Sequence, residues 1–98
     1  MNRPGIEWDE AKNTYNKRNH GISFRETVTV FADEHGLLLS DPEHSTEEDR
    51  FVLLGFSASL RILVVCHWYR CSEETIRIIS ARKATKSERA VYNTRWRK

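Results

Sequence analysis

The 98 residues carry 16 Lys and Arg against 14 Asp and Glu, with two Cys and 39% hydrophobic side chains. That length suits a single domain over residues 1–98, able to bury a core without disulfide or metal staples. The composition excludes a disordered chain, and no apolar run nears the ~18 residues of a membrane span. Cys66 and Cys71 make no disulfide framework and no C-x-x-C pair, so a reduced cytoplasmic setting is expected. Met1-Asn2-Arg3-Pro4-Gly5 leads straight into Glu7-Trp8-Asp9-Glu10, without the apolar stretch of a signal peptide. The net charge of +2 is uneven: residues 1–49 sum to −6 and residues 50–98 to +8. A basic surface for an anionic partner, commonly nucleic acid, is the functional reading; two solvated faces are the plain one.

In chain order, a short strand fits residues 5–8. A first helix starts after Asp9, with Trp8, Ala11, Tyr15 and Arg18 at three- and four-residue steps, and stops at Gly21. Ser23-Phe24-Arg25-Glu26 reads as a capping box, and Phe24, Val28 and Phe31 form the stripe of a second helix. Leu37-Leu38-Leu39 is a strand candidate closed by Asp41-Pro42, followed by a solvated acidic loop over residues 43–49. Strands follow at about 50–57, 61–69 and 74–82, joined by loops short enough for hairpins. Thr85-Lys86-Ser87-Glu88 is a second capping box, opening a basic C-terminal helix with Ala90, Val91 and Tyr92. Two helices before an antiparallel meander, then a last helix, predict an α+β fold.

If the loop over residues 57–60 closes symmetrically, Arg50 faces His67, Val52 faces Val65, Leu54 faces Leu63 and Phe56 faces Arg61. The other face, Phe51, Leu53, Gly55, Ile62, Val64, Cys66 and Trp68, is then wholly apolar and should meet the N-terminal helices, with Cys66 as core. The next hairpin admits two registers. One sets His67 against Ile76 and Arg61 against Arg82; the other sets His67 against Arg77 and Arg61 against Lys83. A one-residue slip swaps the faces. In the second register Arg50, His67 and Arg77 gather at one end of one face. Like charges across strands cost stability, and such conflicts mark functional sites.

Plain readings stand beside these. His67 at a strand end is more often structural than catalytic. Arg50, Arg61 and Arg70 could be rim residues with snorkelling stems. Arg82, Lys83, Lys86 and Arg89 crowd a helix start, where a bound anion would relieve their conflict with the dipole. His20 suits a contact with the last carbonyls of the first helix. The histidines lack zinc spacing; His35, Asp41, Glu43 and His44 are a chance cluster at best. There is no G-x-S-x-G, P-loop or G-x-G-x-x-G.

Four segments are recognisable together: Ile6-Glu7-Trp8-Asp9-Glu10 with Lys12-Asn13; Asn19-His20-Gly21-Ile22-Ser23-Phe24; Asp49-Arg50-Phe51; and Ile76-Arg77-Ile78-Ile79-Ser80-Ala81-Arg82-Lys83-Ala84-Thr85. In this order they resemble the BrnT toxin family over about residues 6–92. Trp68-Tyr69 departs from the family pattern, and residues 94–98 extend beyond it. The resemblance implies a RelE-like fold and a bacterial type II ribonuclease toxin. It also implies a cognate BrnA antitoxin that dimerises through a ribbon-helix-helix DNA-binding domain. The complex would then be a heterotetramer, with two toxins and two antitoxins, that represses its own operon through operator DNA.

The expected activity is a metal-independent endoribonuclease needing no cofactor. The 2′-hydroxyl attacks the adjacent phosphate and the 5′-oxygen leaves. His67 is the titratable group of suitable pKa on the basic face. Arg50 and Arg77 would stabilise charge on the phosphate. Arg61, Arg70, Arg82, Lys83, Lys86 and Arg89 would hold the RNA backbone. An arginine- or lysine-only site on that face, or a site near His20 and Lys17, is the fallback. The rival is a non-enzymatic module that binds RNA or protein, such as a degenerate toxin kept as co-repressor.

Overall fold

The computed structural model describes residues 5–40, 50–70 and 74–95. The caps fall where the sequence sets them. Asp9 starts α1 (Glu10–His20), its Oδ1 accepting from the Ala11 amide at 2.8 Å, and Gly21 ends the helix at φ 70°. Ser23 starts α2 (Phe24–Val30), its Oγ accepting from the Glu26 amide at 3.0 Å. Thr85 and Glu88 form a complete capping box at the head of α3 (Lys86–Thr94).

Of the stripe predicted for α1, Trp8 is buried, but Ala11, Tyr15 and Arg18 are exposed. Tyr15 is 67% exposed, and the buried residues of α1 are Asn13 and Asn16. Both are fully engaged, as buried amides must be. The Phe24 amide donates to Asn13 Oδ1 at 2.8 Å, and Asn13 Nδ2 donates to Glu10 at 2.7 Å. Asn16 Nδ2 donates to the carbonyls of Ile22 and Ala81, and its Oδ1 accepts from the Ala81 amide.

Among the described residues five strands form one sheet in the order β1-β5-β4-β3-β2. These are β1 (Ile6–Glu7), β2 (Leu37–Ser40), β3 (Arg50–Phe56), β4 (Ile62–Arg70) and β5 (Thr75–Lys83). β1 runs parallel to β5, and the other neighbours are antiparallel. α1 and α2 cover one face. There Ile22, Val30, Leu53, Leu63, Val65 and Ala81 form one apolar cluster, and Trp8, Phe24, Val28 and Ile78 another. Gly55 lets α2 approach: a Cβ there would lie 2.7 Å from Val30 Cγ1. α3 packs on the opposite face, where Tyr92 and Ala84 cluster with Leu54, against Ile62 and Val64.

The register of β3 on β4 corrects the expectation. Phe51, not Arg50, stands opposite His67, and Arg50 stands opposite Trp68. The loop is one residue shorter than assumed. The Ser57 amide donates to the Arg61 carbonyl at 2.9 Å, and Leu60 adopts the left-handed conformation at φ 67°. Three-residue hairpin loops end this way, usually with Gly in that place. The slip turns every β4 side chain over. Leu63, Val65 and His67 face α1 and α2; Ile62, Val64, Cys66 and Trp68 face the α3 side, so Cys66 is not in the helix-side core.

Neither register considered for β4 and β5 is the observed one. A bulge between Cys66 and His67 sets His67 opposite Ile78, Trp68 opposite Arg77, and Leu63 opposite Lys83. Arg61 precedes β4 and pairs with neither Arg82 nor Lys83. The acidic loop, Cys71, and Asp41, Glu43 and His44 lie outside the described residues.

Candidate nucleic-acid interface

α3 covers only part of its sheet face. Beyond it the alternation of four neighbouring strands sets Glu7, Arg77, Trp68 and Arg50 in one cross-strand row. Ile6, Ile78, His67 and Phe51 point to the helix side, so their chain neighbours point here. Arg77 Nη1 donates to Glu7 Oε2 at 2.8 Å, with the two side chains 37% and 40% exposed. The Arg50 guanidinium lies 5.6 Å from the centre of the Trp68 ring, a cation–π contact that holds it over the sheet. Arg70, two residues along β4, is exposed on the same side. Two strand spacings separate the Arg50 and Arg77 backbones by roughly 10 Å. A phosphodiester can lie between these guanidinium groups, each offering planar donors.

His67 is not part of this row. It is 3% exposed on the opposite face, edge-on to Phe31 at 4.9 Å and stacked on Phe51 at 6.1 Å. Burial among these rings pushes its pKa down to about 4. It floors an apolar groove of about 290 Å³ with Phe31, Leu38, Phe51, Leu53, Tyr69 and Ile76. The expected gathering of Arg50, His67 and Arg77 therefore does not form: two stand on one face and the third lies beneath them.

Three of the expected backbone-holding arginines are engaged within the protein; Arg89 donates to the Ala84 carbonyl at 3.0 Å, and the other two form ion pairs. Arg61 forks onto Glu26 at 2.7 and 2.8 Å and donates to the Gly21 carbonyl at 3.1 Å, tying the β3–β4 hairpin to both N-terminal helices. This pairing holds the Glu26 carboxyl below its usual range and supersedes a reciprocal cap at Ser23. Arg82 forks onto Glu88 at 2.8 and 2.9 Å, and that fork together with the Thr85 amide brings the Glu88 carboxyl down to about 2. Lys83, Lys86 and Arg89 are exposed. Lys83 and Arg89 flank a groove of about 240 Å³ with Phe56, Leu60 and Ile62. His20 and Lys17 are exposed at the end of α1. Among the described residues no cluster of three His, Cys, Asp or Glu could hold a metal ion.

Sequence reasoning passed over Glu7 and Trp68. Glu7 carried a signal, since a two-residue strand with Ile6 turned inward leaves Glu7 on the far face. Its neighbour could not be read, because β1 joins β5 across about seventy residues.

Fold and face together define a class: a small α+β protein whose open sheet surface sets arginines and one carboxylate in a row suited to a phosphodiester. Residues 8–88 match the model of the ribonuclease toxin BrnT of type II toxin–antitoxin systems, and the chain belongs to that family. It is similar to the crystal structure of the Brucella abortus ribonuclease toxin BrnT, at 25% identity and a TM-score of 0.63, covering 83% of this chain and 96% of that one. No curated protein matches the chain. Among the described residues no helix is long and apolar enough to cross a membrane.

Proposed function

We propose that this member of the BrnT family is a RelE-like, metal-independent endoribonuclease. Acting as one domain in the cytoplasm, it cuts RNA by attack of the 2′-hydroxyl on the adjacent phosphate and so inhibits translation and growth. The observation that carries this reading is the row of Arg77, Trp68 and Arg50 on the open sheet face. Arg50 and Arg77 stabilise charge developing on the phosphate; Arg70, Lys83, Lys86 and Arg89 hold the flanking backbone. In this reading His67 supports the sheet from below instead of carrying a proton. Arg61 and Arg82 act through the fold, by their pairings with Glu26 and Glu88.

The partner is a BrnA-like antitoxin whose ribbon-helix-helix domain dimerises and binds operator DNA, giving two toxins and two antitoxins. A carboxylate-bearing segment of the antitoxin blocks the arginine face, because a cationic phosphate site is best masked by an acidic mimic. The test is cleavage of a short RNA by the purified protein in EDTA. Cleavage is expected with the ribose substrate and not with a 2′-deoxy substitution at the cut position. Arg50→Ala and Arg77→Ala, each shown folded by circular dichroism, should each lower kcat/KM by at least about tenfold, ~1.4 kcal/mol of barrier. Intact RNA at every enzyme concentration, with growth unaffected on expression alone, would instead favour a binding module.

A further inference from the structure

Transesterification at RNA needs a group to take the 2′-hydroxyl proton, and arginine cannot serve, since it does not deprotonate in proteins. We propose that Glu7 is that group. The inference rests on the ribonuclease reading and goes beyond it by assigning the proton acceptor. Glu7 is the carboxylate of the cross-strand row, and its Oε2 lies 2.8 Å from Arg77 Nη1. The two side chains stay 40% and 37% exposed, so the pair remains open to a ligand. Three other carboxylates of the described structure are committed elsewhere. Glu26 is taken by Arg61 and Ser57; Glu88 by Arg82 and the Thr85 amide; Asp33 by Tyr92, Phe56 and His35. One oxygen of Glu7 receives the Arg77 hydrogen bond, which leaves the second oxygen able to accept from a ribose hydroxyl.

The contact also orders the chemistry. Arg77 both orients the carboxylate and offers its remaining donors to the phosphate that the 2′-oxygen attacks. Glu7 takes the 2′-hydroxyl proton as the new 2′-oxygen–phosphorus bond forms. The bond from phosphorus to the 5′-oxygen breaks, and that oxygen leaves with a proton from water. The products are a 2′,3′-cyclic phosphate and a free 5′-hydroxyl, and no oxidant, reductant or metal enters the balance. Arg50, roughly 10 Å across the row, meets the same strand of RNA at a neighbouring phosphate or at the developing charge.

Glu7→Gln keeps the size of the side chain and an oxygen to accept from Arg77, but cannot take a proton. With a short RNA substrate, kcat/KM of Glu7→Gln should fall at least about 100-fold, the usual scale of a general base. RNA binding to a 2′-deoxy analogue should stay within about threefold. Should that substitution unfold the chain, Glu7→Asp provides the second reading: it keeps a carboxylate on a shorter reach and should still cleave, at a lower rate than wild type, and a folded Glu7→Asp as inactive as a catalytically dead enzyme counts against the assignment. A folded Glu7→Gln that cleaves within threefold of wild type overturns the assignment while leaving the ribonuclease reading standing. A wild-type protein that cuts no RNA overturns both.

Discussion

Asn16 bonds both backbone groups of Ala81, donating to its carbonyl at 2.8 Å and accepting from its amide at 3.1 Å. The side-chain amide thus does for β5 what another strand would do. β1 pairs with β5 only at Ile76 and Arg77, and further along that edge α1 takes over. Each of these groups is buried, and a buried backbone group without a partner costs about 1–3 kcal/mol.

Asn16→Ala should therefore destabilise the chain by about 2–4 kcal/mol, seen as a lower urea midpoint at unchanged m. Asn16→Asp tests the geometry further. It keeps the acceptor for the Ala81 amide but sets a negative charge against the carbonyls of Ile22 and Ala81. It should be no more stable than Asn16→Ala at neutral pH. An Asn16→Ala variant of wild-type stability would mean that water replaces the amide without loss.

His67 makes stability depend on pH. Its folded pKa of about 4 lies below the ordinary 6.5, because burial disfavours the charged ring. Between these values the unfolded chain binds a proton that the folded chain refuses. Stability should thus fall as pH drops from ~6.5 to ~4, by roughly 3 kcal/mol, and this loss persists below that window. Urea titrations at steps across the window measure it. His67→Phe keeps an aromatic ring between Phe31 and Phe51 and should flatten the slope while RNA cleavage continues at about the wild-type rate. Loss of cleavage in that folded variant would return His67 to the mechanism.

Leu60 holds φ at 67° with its side chain 76% exposed. A left-handed conformation costs a non-glycine residue roughly 1–2 kcal/mol, and little burial offsets it here. Leu60→Gly should raise stability by about 0.5–1 kcal/mol after glycine's own entropy cost, a thermal shift of roughly 2–8 °C. A lower melting temperature would show that Leu60 gains more from packing in its groove than its backbone loses.

The cations around α3 should act on binding more than on turnover. Lys86→Ala and Arg89→Ala should each weaken RNA affinity and reduce the dependence of log Kd on log salt by about 0.7 for a single-stranded site, with kcat little changed. Arg82→Ala is different in kind. It removes the fork on Glu88 and with it the lock on the helix start, so its first effect should be on the melting temperature. Salt slopes from fluorescence anisotropy separate the two behaviours.

Local chemistry was enough to place most elements. Asp9, Gly21, Ser23 and Thr85 cap the helices by bonds that their own side chains or backbone make within a few residues. The alternation from Arg50 to Lys83 marks the hairpins, and the ordered segments around Trp8, Gly21 and Ala81 carry the family. What the residues could not decide was which faces meet. That choice hung on one loop residue: Leu60 occupies a position where Gly would have announced a three-residue turn, and the resulting slip inverts every side chain of β4 relative to β3. The bulge at Cys66 and His67 repeats the problem on β5. The pairing of Glu7 with Arg77 and the clasp of Asn16 on Ala81 join residues about seventy and sixty-five positions apart. Such contacts follow from the assembled sheet and not from any local preference, so the tertiary structure alone buried His67 and set Glu7, Arg77, Trp68 and Arg50 in line.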